Sequence, residues 1–329
     1  MSRQSKETSS SKSETKGISA WLRELRAPFF TASIVPITLG AAISWYYSGL
    51  FSLWIFMLSL GVTICLHAGA NVVNDYFDYK SGCDAINKEY VPMFSGGSRL
   101  LVEGILSPTG VYLYAIGFFA LGALSSILLF MIRGWIIIVI VASGIITGYF
   151  YTTRLATKGI GELAVGLEFG PIAVIGSYFA QTGVIDFNPI WASIPVGLMI
   201  ANILWINEVP DINADAQSGK KTLVARMGKR KAISSFKAIL LLTYFAVILG
   251  VLLDYLPLLS LIALLTIPIA FGAAKGATEY ATKKKPLVPA NAGMVKIHLT
   301  AGLLLALAFV ISRVLVNVLP RIPLLFPQL

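Results

Sequence analysis

The sequence predicts an all-α, polytopic membrane protein, and two features of its composition support that prediction. Of its 329 residues, 56% are hydrophobic and only 13% are charged, and the mean hydropathy is +0.78. Soluble domains average about 25% charged residues. The apolar residues recur in runs of about 20, the length that crosses about 30 Å of hydrocarbon. We therefore expect a bundle of membrane-spanning helices.

Nine apolar runs are long enough to cross a bilayer, and most of the connections between them are short. We place the spans near residues 27–48, 52–76, 109–131, 134–152, 160–181, 189–210, 232–253, 256–275 and 295–318. Residues 1–19 are polar and rich in Ser and Lys, a composition typical of disordered segments. The expected organisation is a disordered tail over 1–19, followed by one membrane domain over 20–329.

The basic residues collect in alternate loops, so membrane topology explains the net charge of +10 better than nucleic-acid binding does. With the N-terminus in the cytoplasm, all but three of the 26 Lys and Arg residues fall in the tail or in the cytoplasmic loops. The exceptions are Arg133, Arg313 and Arg321. The positive-inside rule therefore predicts a multi-pass protein of the cell (inner) membrane, with a cytoplasmic N-terminus and no nucleic-acid partner.

Two similar acidic motifs each close an apolar span. The first reads N-D-Y-F-D-Y-K-S-G-C-D over Asn74–Asp84, and the second reads N-E-V-P-D-I-N-A-D over Asn207–Asp215. They follow spans 2 and 6, which are both even, so both motifs face the same side of the membrane. We expect them to converge on one central, cytoplasm-facing cavity.

Polar residues within spans 2 and 6 recur at helical spacing. Span 2 carries His67, Asn71, Asn74 and Asp78, and span 6 ends with Asn207, Asp211 and Asp215. Residues three or four positions apart share one face of a helix. Because charged groups inside a bilayer are costly, such a stripe should face the bundle interior or a wet cavity.

The acidic clusters have no matching basic residues inside the spans, so a cation must balance them. Oxygen-only ligands suit Mg²⁺, which takes one or two carboxylates and completes its shell with substrate phosphates. The basic residues in loops on the acidic side are candidates for binding a phosphate: Arg99, Lys158, Lys220 and Lys221. The pattern predicts a Mg²⁺-bridged diphosphate beside an apolar interior, which suggests a prenyl diphosphate.

Residues in the spans near the motifs are candidates for the wall of a cavity that holds the prenyl chain and its acceptor. They are His67, Asn71, Tyr149, Tyr151 and Phe169. Aromatic faces can stabilise a cation, although the same residues are also compatible with ordinary interior packing. Glu162 and Glu168 lie within span 5, where an acid is either functional or held by a structural hydrogen bond.

N-D-x-x-D paired with a later D-x-x-x-D, on nine spans, resembles the UbiA superfamily of intramembrane aromatic prenyltransferases. The resemblance extends from about residue 20 over nearly the whole chain. The interval from Asp78 to Asp84 is similar to that of the 1,4-dihydroxy-2-naphthoate polyprenyltransferases of menaquinone synthesis and their animal relatives. Three further stretches are similar to that branch: R-L-L-V-E-G-I-L-S-P (99–108), K-G-I-G-E (158–162) and D-x-x-x-D-x-x-x-G-K-K-T-L (211–223).

This resemblance implies Mg²⁺-dependent transfer of a polyprenyl group from a prenyl diphosphate to an aromatic acceptor, in a cavity open to the cytoplasm and to lipid. The matched ligands of the Mg²⁺–diphosphate would be Asn74, Asp78, Asp84, Asn207, Asp211 and Asp215. Arg99 and Lys158 match basic positions expected to bind the diphosphate. Asp75 and Glu208 are both candidates for the base that removes the ring proton.

The acceptor remains open at this stage, because Glu208 stands where the naphthoate branch commonly has Asn. Alternatives are 4-hydroxybenzoate, homogentisate and a glycerol phosphate lipid, with a porphyrin disfavoured by the motif spacing. A cation-coupled transporter is the alternative from another class, since transporters also carry intramembrane acids and repeated motifs. The sequence gives neither the prenyl chain length nor the oligomeric state.

Overall fold

The computed structural model of the protein describes residues 17–283 and 285–318, and its regular structure in these ranges is entirely helical. Nine long helices, labelled α1 to α9 in chain order, are apolar enough to cross a membrane. They are Gly17–Ser48, Leu53–Ser81, Pro108–Arg133, Ile136–Lys158, Gly161–Thr182, Asn188–Glu208, Leu223–Leu252, Leu258–Lys283 and Val288–Val318. Two short helices, Cys83–Ile86 and Ile212–Ser218, follow α2 and α6.

The prediction of nine spans is confirmed within the described residues, but several helices are longer than their apolar runs. Helix α2 continues to Ser81. Helix α7 begins at Leu223 rather than at 232, but a kink at Gly228, where φ is 73°, separates its first turns from the apolar run. Hydropathy locates the part of a helix that lies within the bilayer, whereas polar turns at its ends can remain helical in water. Of the expected disordered tail, residues 1–16 lie outside the described part of the chain, and residues 17–19 are helical.

Several of the long helices contain irregular turns, among them α1, α4 and α5. Helix α1 bends at Arg26, which has a φ of 52°, and continues through the 3₁₀ turn Ala27–Phe30. Helices α4 and α5 each contain one π-helical turn, at Tyr151–Leu155 and Glu168–Ile172. π-helical turns occur frequently at functional sites because they reorient the side chains that follow. Both turns lie next to the cavity described below.

Helices that are consecutive in the sequence pack as neighbours, and α9 packs against α1 to close the bundle. Helix α1 also contacts α2, α5 and α6. The closest approach of α5 and α6 depends on Gly170 and Gly197. A Cβ atom built on Gly170 would lie 2.6 Å from the Cα atom of Gly197. Small residues at such crossings let two helix backbones approach closely in a membrane.

Replacing Gly197 with Ala should destabilise the bundle, because the new methyl group would lie 2.6 Å from the carbonyl oxygen of Gly166. We expect the free energy of unfolding to fall by about 1–3 kcal/mol, the usual cost of overpacking. The measurement is the thermal unfolding midpoint of the purified protein in detergent. Gly272→Ala is the matched control, since a Cβ atom at that helical position meets nothing within 4 Å. Equal midpoints for the two variants would contradict the role of this contact.

Candidate functional site

The two acidic motifs converge at one end of the bundle, as the sequence predicted. The ammonium group of Lys220 lies between them, with its Nζ atom 2.5 Å from Asp78 Oδ1 and 4.0 Å from Asp215 Oδ1. Asp78 lies in the last turns of α2, and Asp215 belongs to the short helix that follows α6. Both carboxylates are buried. A single cationic side chain therefore joins two segments that are far apart in the sequence.

The loop after the first motif folds back over the carboxylates of both motifs. Asn87 Nδ2 donates a hydrogen bond to Asp211 Oδ1 at 2.7 Å, and the Gly96 amide donates to Asp211 Oδ2 at 3.3 Å. The Ser98 amide donates to Asp75 Oδ2 at 2.6 Å. Gly97 has a φ of 68°, and a Cβ atom there would lie 2.8 Å from Asp84 Oδ2. Glycine is required at this position by both its backbone conformation and its closeness to the carboxylate.

These loop residues were not among the predicted site residues. The sequence S-G-G-S at 95–98 was a visible signal, because adjacent glycines often let a backbone approach a charged group closely. Arg26 was also missed: it lies 3.7 Å from Asp75 and lines the cavity. Arg26 lies just before the first predicted span, so the helical spacing of polar residues within the spans could not single it out.

The carboxylates at this end of the bundle face too little positive charge. Burial, with the charges of Asp78 and Asp75, raises the pKa of Asp84 to about 8. Burial raises the pKa of Asp215 to about 7, despite the nearby Lys220, and also raises the pKa of Asp211.

The pKa of Lys220 responds to the same carboxylates. Burial alone would lower it, but the charges of Asp78 and Asp215 raise it above its ordinary value. The single ammonium group of Lys220 thus balances only part of the negative charge of several carboxylates. A further cation would favour the ionised forms of the remaining carboxylates.

The predicted oxygen ligands lie at this end, but they do not form a complete metal shell by themselves. Within the ranges 17–283 and 285–318, no group of three or more His, Cys, Asp or Glu side chains is arranged to hold a metal ion. Asn74 Nδ2 donates to Asp78 Oδ2, and Asn207 Oδ1 accepts a hydrogen bond from Asn291 at 2.7 Å. An all-oxygen donor set from Asp and Asn fits Mg²⁺ that is partly coordinated by a phosphate ligand.

The four predicted phosphate-binding residues occupy different surroundings. Lys220 is in contact with the motif carboxylates, and the guanidinium of Arg99 donates to the carbonyl oxygen of Asp84 and lies 4.6 Å from the ring centroid of Tyr90. Lys158 and Lys221 are exposed. Neither forms a salt bridge with a motif acid among the described residues. The structure therefore does not bring Lys158 and Lys221 together with the motif carboxylates.

The reason is visible in the backbone around these two lysines. The guanidinium of Arg226 donates hydrogen bonds to the main-chain oxygens of Lys158 and Lys221, at 2.8 and 2.7 Å. Both residues thereby belong to a surface contact between the end of α4 and the start of α7, beside the site rather than within it.

A cavity of about 230 Å³ begins at the acidic motifs and extends between α1, α2, α4, α5 and α6. Asn74 and Asn207 contribute to its lining, which connects the cavity to both motifs. The predicted wall residues His67, Asn71, Tyr151 and Phe169 also line it. Most of the remaining lining is aliphatic. The motif carboxylates lie beyond these asparagines and do not line the cavity, whose charged lining residues are Arg26 and Glu168.

Tyr149 is a correction to the sequence prediction, because it does not belong to this lining. Its hydroxyl group lies 3.1 Å from that of Tyr112, and its ring packs against Phe77 and Phe119. Two residues along a helix correspond to a rotation of about 200°, so Tyr149 and Tyr151 point to opposite sides of α4. The cavity side is that of Tyr151.

The two candidate bases lie behind the cavity wall rather than in it. Glu208 is buried, and its Oε1 atom accepts a hydrogen bond from the Tyr151 hydroxyl at 2.9 Å. Asp75 is also buried and contacts the cavity residue Arg26. Neither carboxylate lines the cavity. Each carboxylate contacts one side chain that lines the cavity: Tyr151 for Glu208 and Arg26 for Asp75.

Comparison with known proteins is consistent with this architecture. Residues 33–291 match the UbiA prenyltransferase family. The chain belongs to the UbiA prenyltransferase family. It is therefore a multi-pass membrane enzyme of the prenyltransferase class, and the transporter alternative is no longer needed to explain its intramembrane acids.

The relatives of this UbiA family member include proteins of bacteria and animals. It is 26% identical over 294 residues to the 2-carboxy-1,4-naphthoquinone phytyltransferase of Synechocystis sp., which covers 88% of this chain and 92% of that relative. It is also 26% identical over 293 residues to UbiA prenyltransferase domain-containing protein 1 of Xenopus tropicalis, covering 88% and 81% of the two chains.

Solved UbiA homologues share the fold at lower sequence identity. The apo structure of a homologue from Aeropyrum pernix K1 has a TM-score of 0.63 and 17% identity, over 88% of this chain and 98% of that one. A homologue from Archaeoglobus fulgidus bound to DMAPP and Mg²⁺ has a TM-score of 0.55 and 16% identity, over 87% and 98%.

Cys83, in the short helix beside Asp215, provides a test of how tightly the site is packed. Its Sγ atom lies 3.4 Å from Asp215 Oδ1, and burial raises the pKa of its thiol to about 12. A free cysteine has a pKa of about 8.5 and reacts as the thiolate. In a Cys65→Ala background, we expect a maleimide at pH 7.5 to label Cys83 slowly in the folded protein and rapidly after unfolding. Mass spectrometry measures the labelled fraction, and rapid labelling of the folded state would contradict the packing.

Proposed function

We propose that this protein transfers a polyprenyl group from a prenyl diphosphate to an aromatic acceptor, 1,4-dihydroxy-2-naphthoate, in menaquinone synthesis. The observation that carries the proposal is the meeting of two acidic motifs at one end of a largely apolar cavity. A ligand with a charged head and a hydrocarbon tail matches both parts of that cavity. Family membership supports the reaction class.

The diphosphate would bind at the acidic end together with Mg²⁺. The proposed ligands are Asn74, Asp78 and Asp84 from one motif, and Asn207, Asp211 and Asp215 from the other. Bound Mg²⁺ would neutralise charge on the diphosphate and so improve pyrophosphate as a leaving group. The raised pKa values of Asp84, Asp211 and Asp215 support a need for added positive charge at this position.

Lys220 and the loop over the motifs would hold the diphosphate in place. The Lys220 ammonium group already lies between the motifs, where it can pair with a phosphate oxygen. The Asn87 amide and the Gly96 backbone fix the orientation of Asp211, so that this carboxylate does not have to reorganise when the ligand arrives. Preorganised charges of this kind lower the barrier to a step in which charge develops.

In the reaction, the C–O bond between the prenyl group and the diphosphate breaks, and the electron pair leaves with pyrophosphate. A carbon of the electron-rich ring then forms a bond with the allylic carbon. The rings of Tyr151 and Phe169 line the cavity and can stabilise positive charge there. The proton on the prenylated ring carbon is removed. With dihydroxynaphthoate, the carboxylate also leaves as CO₂, and a proton takes its place on the carbon that carried it. Glu208 through Tyr151 is the proposed route for the proton. Asp75 is the second candidate base, but Arg26, which it contacts, has no acceptor and cannot relay a proton to it.

The choice of acceptor and of membrane orientation rests on separate observations. The Synechocystis relative is named as a naphthoquinone phytyltransferase, which supports a naphthalene ring as acceptor. The interval between Asp78 and Asp84 supports the same branch. The distribution of basic residues supports a cytoplasmic N-terminus and a cytoplasmic opening of the site.

Loss of both motif aspartates should abolish prenyl transfer. We expect Asp78→Ala combined with Asp211→Ala to reduce the rate of pyrophosphate release at least about 100-fold. The assay contains purified protein, Mg²⁺, a prenyl diphosphate and dihydroxynaphthoate. Removal of Mg²⁺ with a chelator should give the same loss in the unsubstituted protein, reversed by added Mg²⁺. Full activity of the double variant would refute the assignment of the motifs.

Lipid extracts should identify the acceptor and the length of the prenyl chain together. Cells that overproduce the protein should accumulate demethylmenaquinone or its products relative to cells that overproduce the inactive double variant, as measured by liquid chromatography and mass spectrometry. Prenylated 4-hydroxybenzoate, prenylated homogentisate or a prenylated glycerol phosphate lipid in its place would replace dihydroxynaphthoate as the acceptor.

A further inference from the structure

Glu168 is a carboxylic acid in the wall of the cavity that the motifs and their chemistry leave unexplained. It lies at the start of the π-helical turn in α5, about 10 Å along the helix from Gly161, the first residue of α5. Its Oε1 atom accepts a hydrogen bond from the Ser143 hydroxyl at 3.1 Å, and its Oε2 atom accepts one from the Thr147 hydroxyl at 3.3 Å. Both donors belong to α4, so the carboxyl group is fixed across the α4–α5 contact.

The surroundings of Glu168 leave its acceptor capacity incompletely used. Each carboxylate oxygen has two lone pairs and receives one hydrogen bond. Within residues 17–283 and 285–318, no Lys, Arg or His side chain forms a salt bridge with it. Gly144 lines the cavity beside it, and a Cβ atom there would lie 3.3 Å from Oε1. The glycine therefore keeps this oxygen open to a ligand.

A prenyl chain is a poor partner for this part of the wall. Covering a carboxyl group with hydrocarbon removes water without supplying a hydrogen bond, which is unfavourable in an apolar medium. An aromatic acceptor with a ring hydroxyl supplies the missing donor. A carboxylate on the same ring would be repelled by Glu168, so it should face away from Glu168, towards Arg26, the cationic residue of the cavity lining.

We propose that Glu168, held by Ser143 and Thr147, is a specificity-determining residue that accepts a hydrogen bond from a hydroxyl group of the aromatic acceptor. This proposal rests on the proposed prenyl transfer and adds to it a position for the ring. The diphosphate occupies the motif end, and the hydroxylated ring reaches the wall formed by α4 and α5.

Equilibrium binding of two small probes tests this assignment without turnover. The probes are 1-naphthol, which has a hydroxyl donor, and 1-methoxynaphthalene, which lacks it. In the full-length protein in nanodiscs, we expect 1-naphthol to bind at least about tenfold more tightly, as for a hydrogen bond to a charged group. Glu168→Met, which has similar volume and no strong acceptor, should remove the preference. Equal binding of both probes to the unsubstituted protein, or a preference that survives in Glu168→Met, would overturn the proposal.

Two further variants separate recognition from misfolding. Glu168→Gln retains one acceptor oxygen and can still hydrogen-bond to Ser143 and Thr147, accepting from one hydroxyl and donating to the other, so it should keep part of the preference for 1-naphthol. Asp254→Asn is the matched control: it also changes a carboxyl to an amide, at an exposed position with a φ of 61° that Asn readily adopts. It should bind both probes as the unsubstituted protein does. Loss of preference in Asp254→Asn as well would show that Glu168 is not its source.

Steady-state kinetics distinguishes failure of this proposal from failure of the proposed function. For Glu168→Met, KM for the hydroxylated acceptor should rise about tenfold or more, with a smaller rise for Glu168→Gln, while KM for the prenyl diphosphate stays within about twofold in both variants. A change in KM for the prenyl diphosphate instead would assign this wall to the prenyl chain and overturn the proposal. Absence of prenyl transfer to any aromatic acceptor by the unsubstituted protein would refute the proposed function. The preference for 1-naphthol over 1-methoxynaphthalene would still decide whether Glu168 accepts a hydrogen bond from a ring hydroxyl.

Discussion

The placement of Lys220 between Asp78 and Asp215 is the interaction on which the site depends. Several carboxylates are buried at the end of an apolar bundle, where ionised groups without partners are strongly destabilised. One ammonium group partly compensates them and holds the segment after α6 against the end of α2. The raised pKa values of the remaining acids show that the compensation is incomplete. The site is thus electrostatically prepared for a cationic partner, and the fold supplies the rigidity that keeps the acids together.

The loop between α2 and α3 turns this cluster into an enclosed site. Its backbone approaches Asp211 and Asp75 closely enough to donate hydrogen bonds to both, which is possible because Gly96 and Gly97 lack side chains and adopt positive φ. The loop therefore contacts carboxylates from two parts of the chain simultaneously.

The sequence predicted the elements that depend on simple periodicity. Apolar runs of bilayer length gave the nine helices, and helical spacing placed His67, Asn71 and Asn74 on one face of α2. The failures occurred where periodicity is interrupted or absent. Tyr149 and Tyr151 lie on opposite sides of α4, and the apolar run that contains them gave no sign of which side faces the cavity.

Helical periodicity cannot predict the contacts made by loops, for a different reason. Asn87 and Gly96 reach Asp211 across more than 100 residues, and only the folded chain determines which backbone amides meet which carboxylates. The same holds for Lys158 and Lys221, whose loop positions suggested a phosphate. Whether a lysine in a loop points into a site or away from it depends on tertiary contacts such as those of Arg226.

The cavity lining comes from α1, α2, α4, α5 and α6 alone. Helices α3, α7, α8 and α9 therefore form a supporting frame whose outer faces meet lipid without contributing a lining residue. Substitutions on those faces can be used to adapt the protein to detergents, to thicker bilayers or to fusion partners while the chemistry is left intact. The inner faces of the supporting helices are not independent of the site, since Asn291 of α9 donates a hydrogen bond to Asn207.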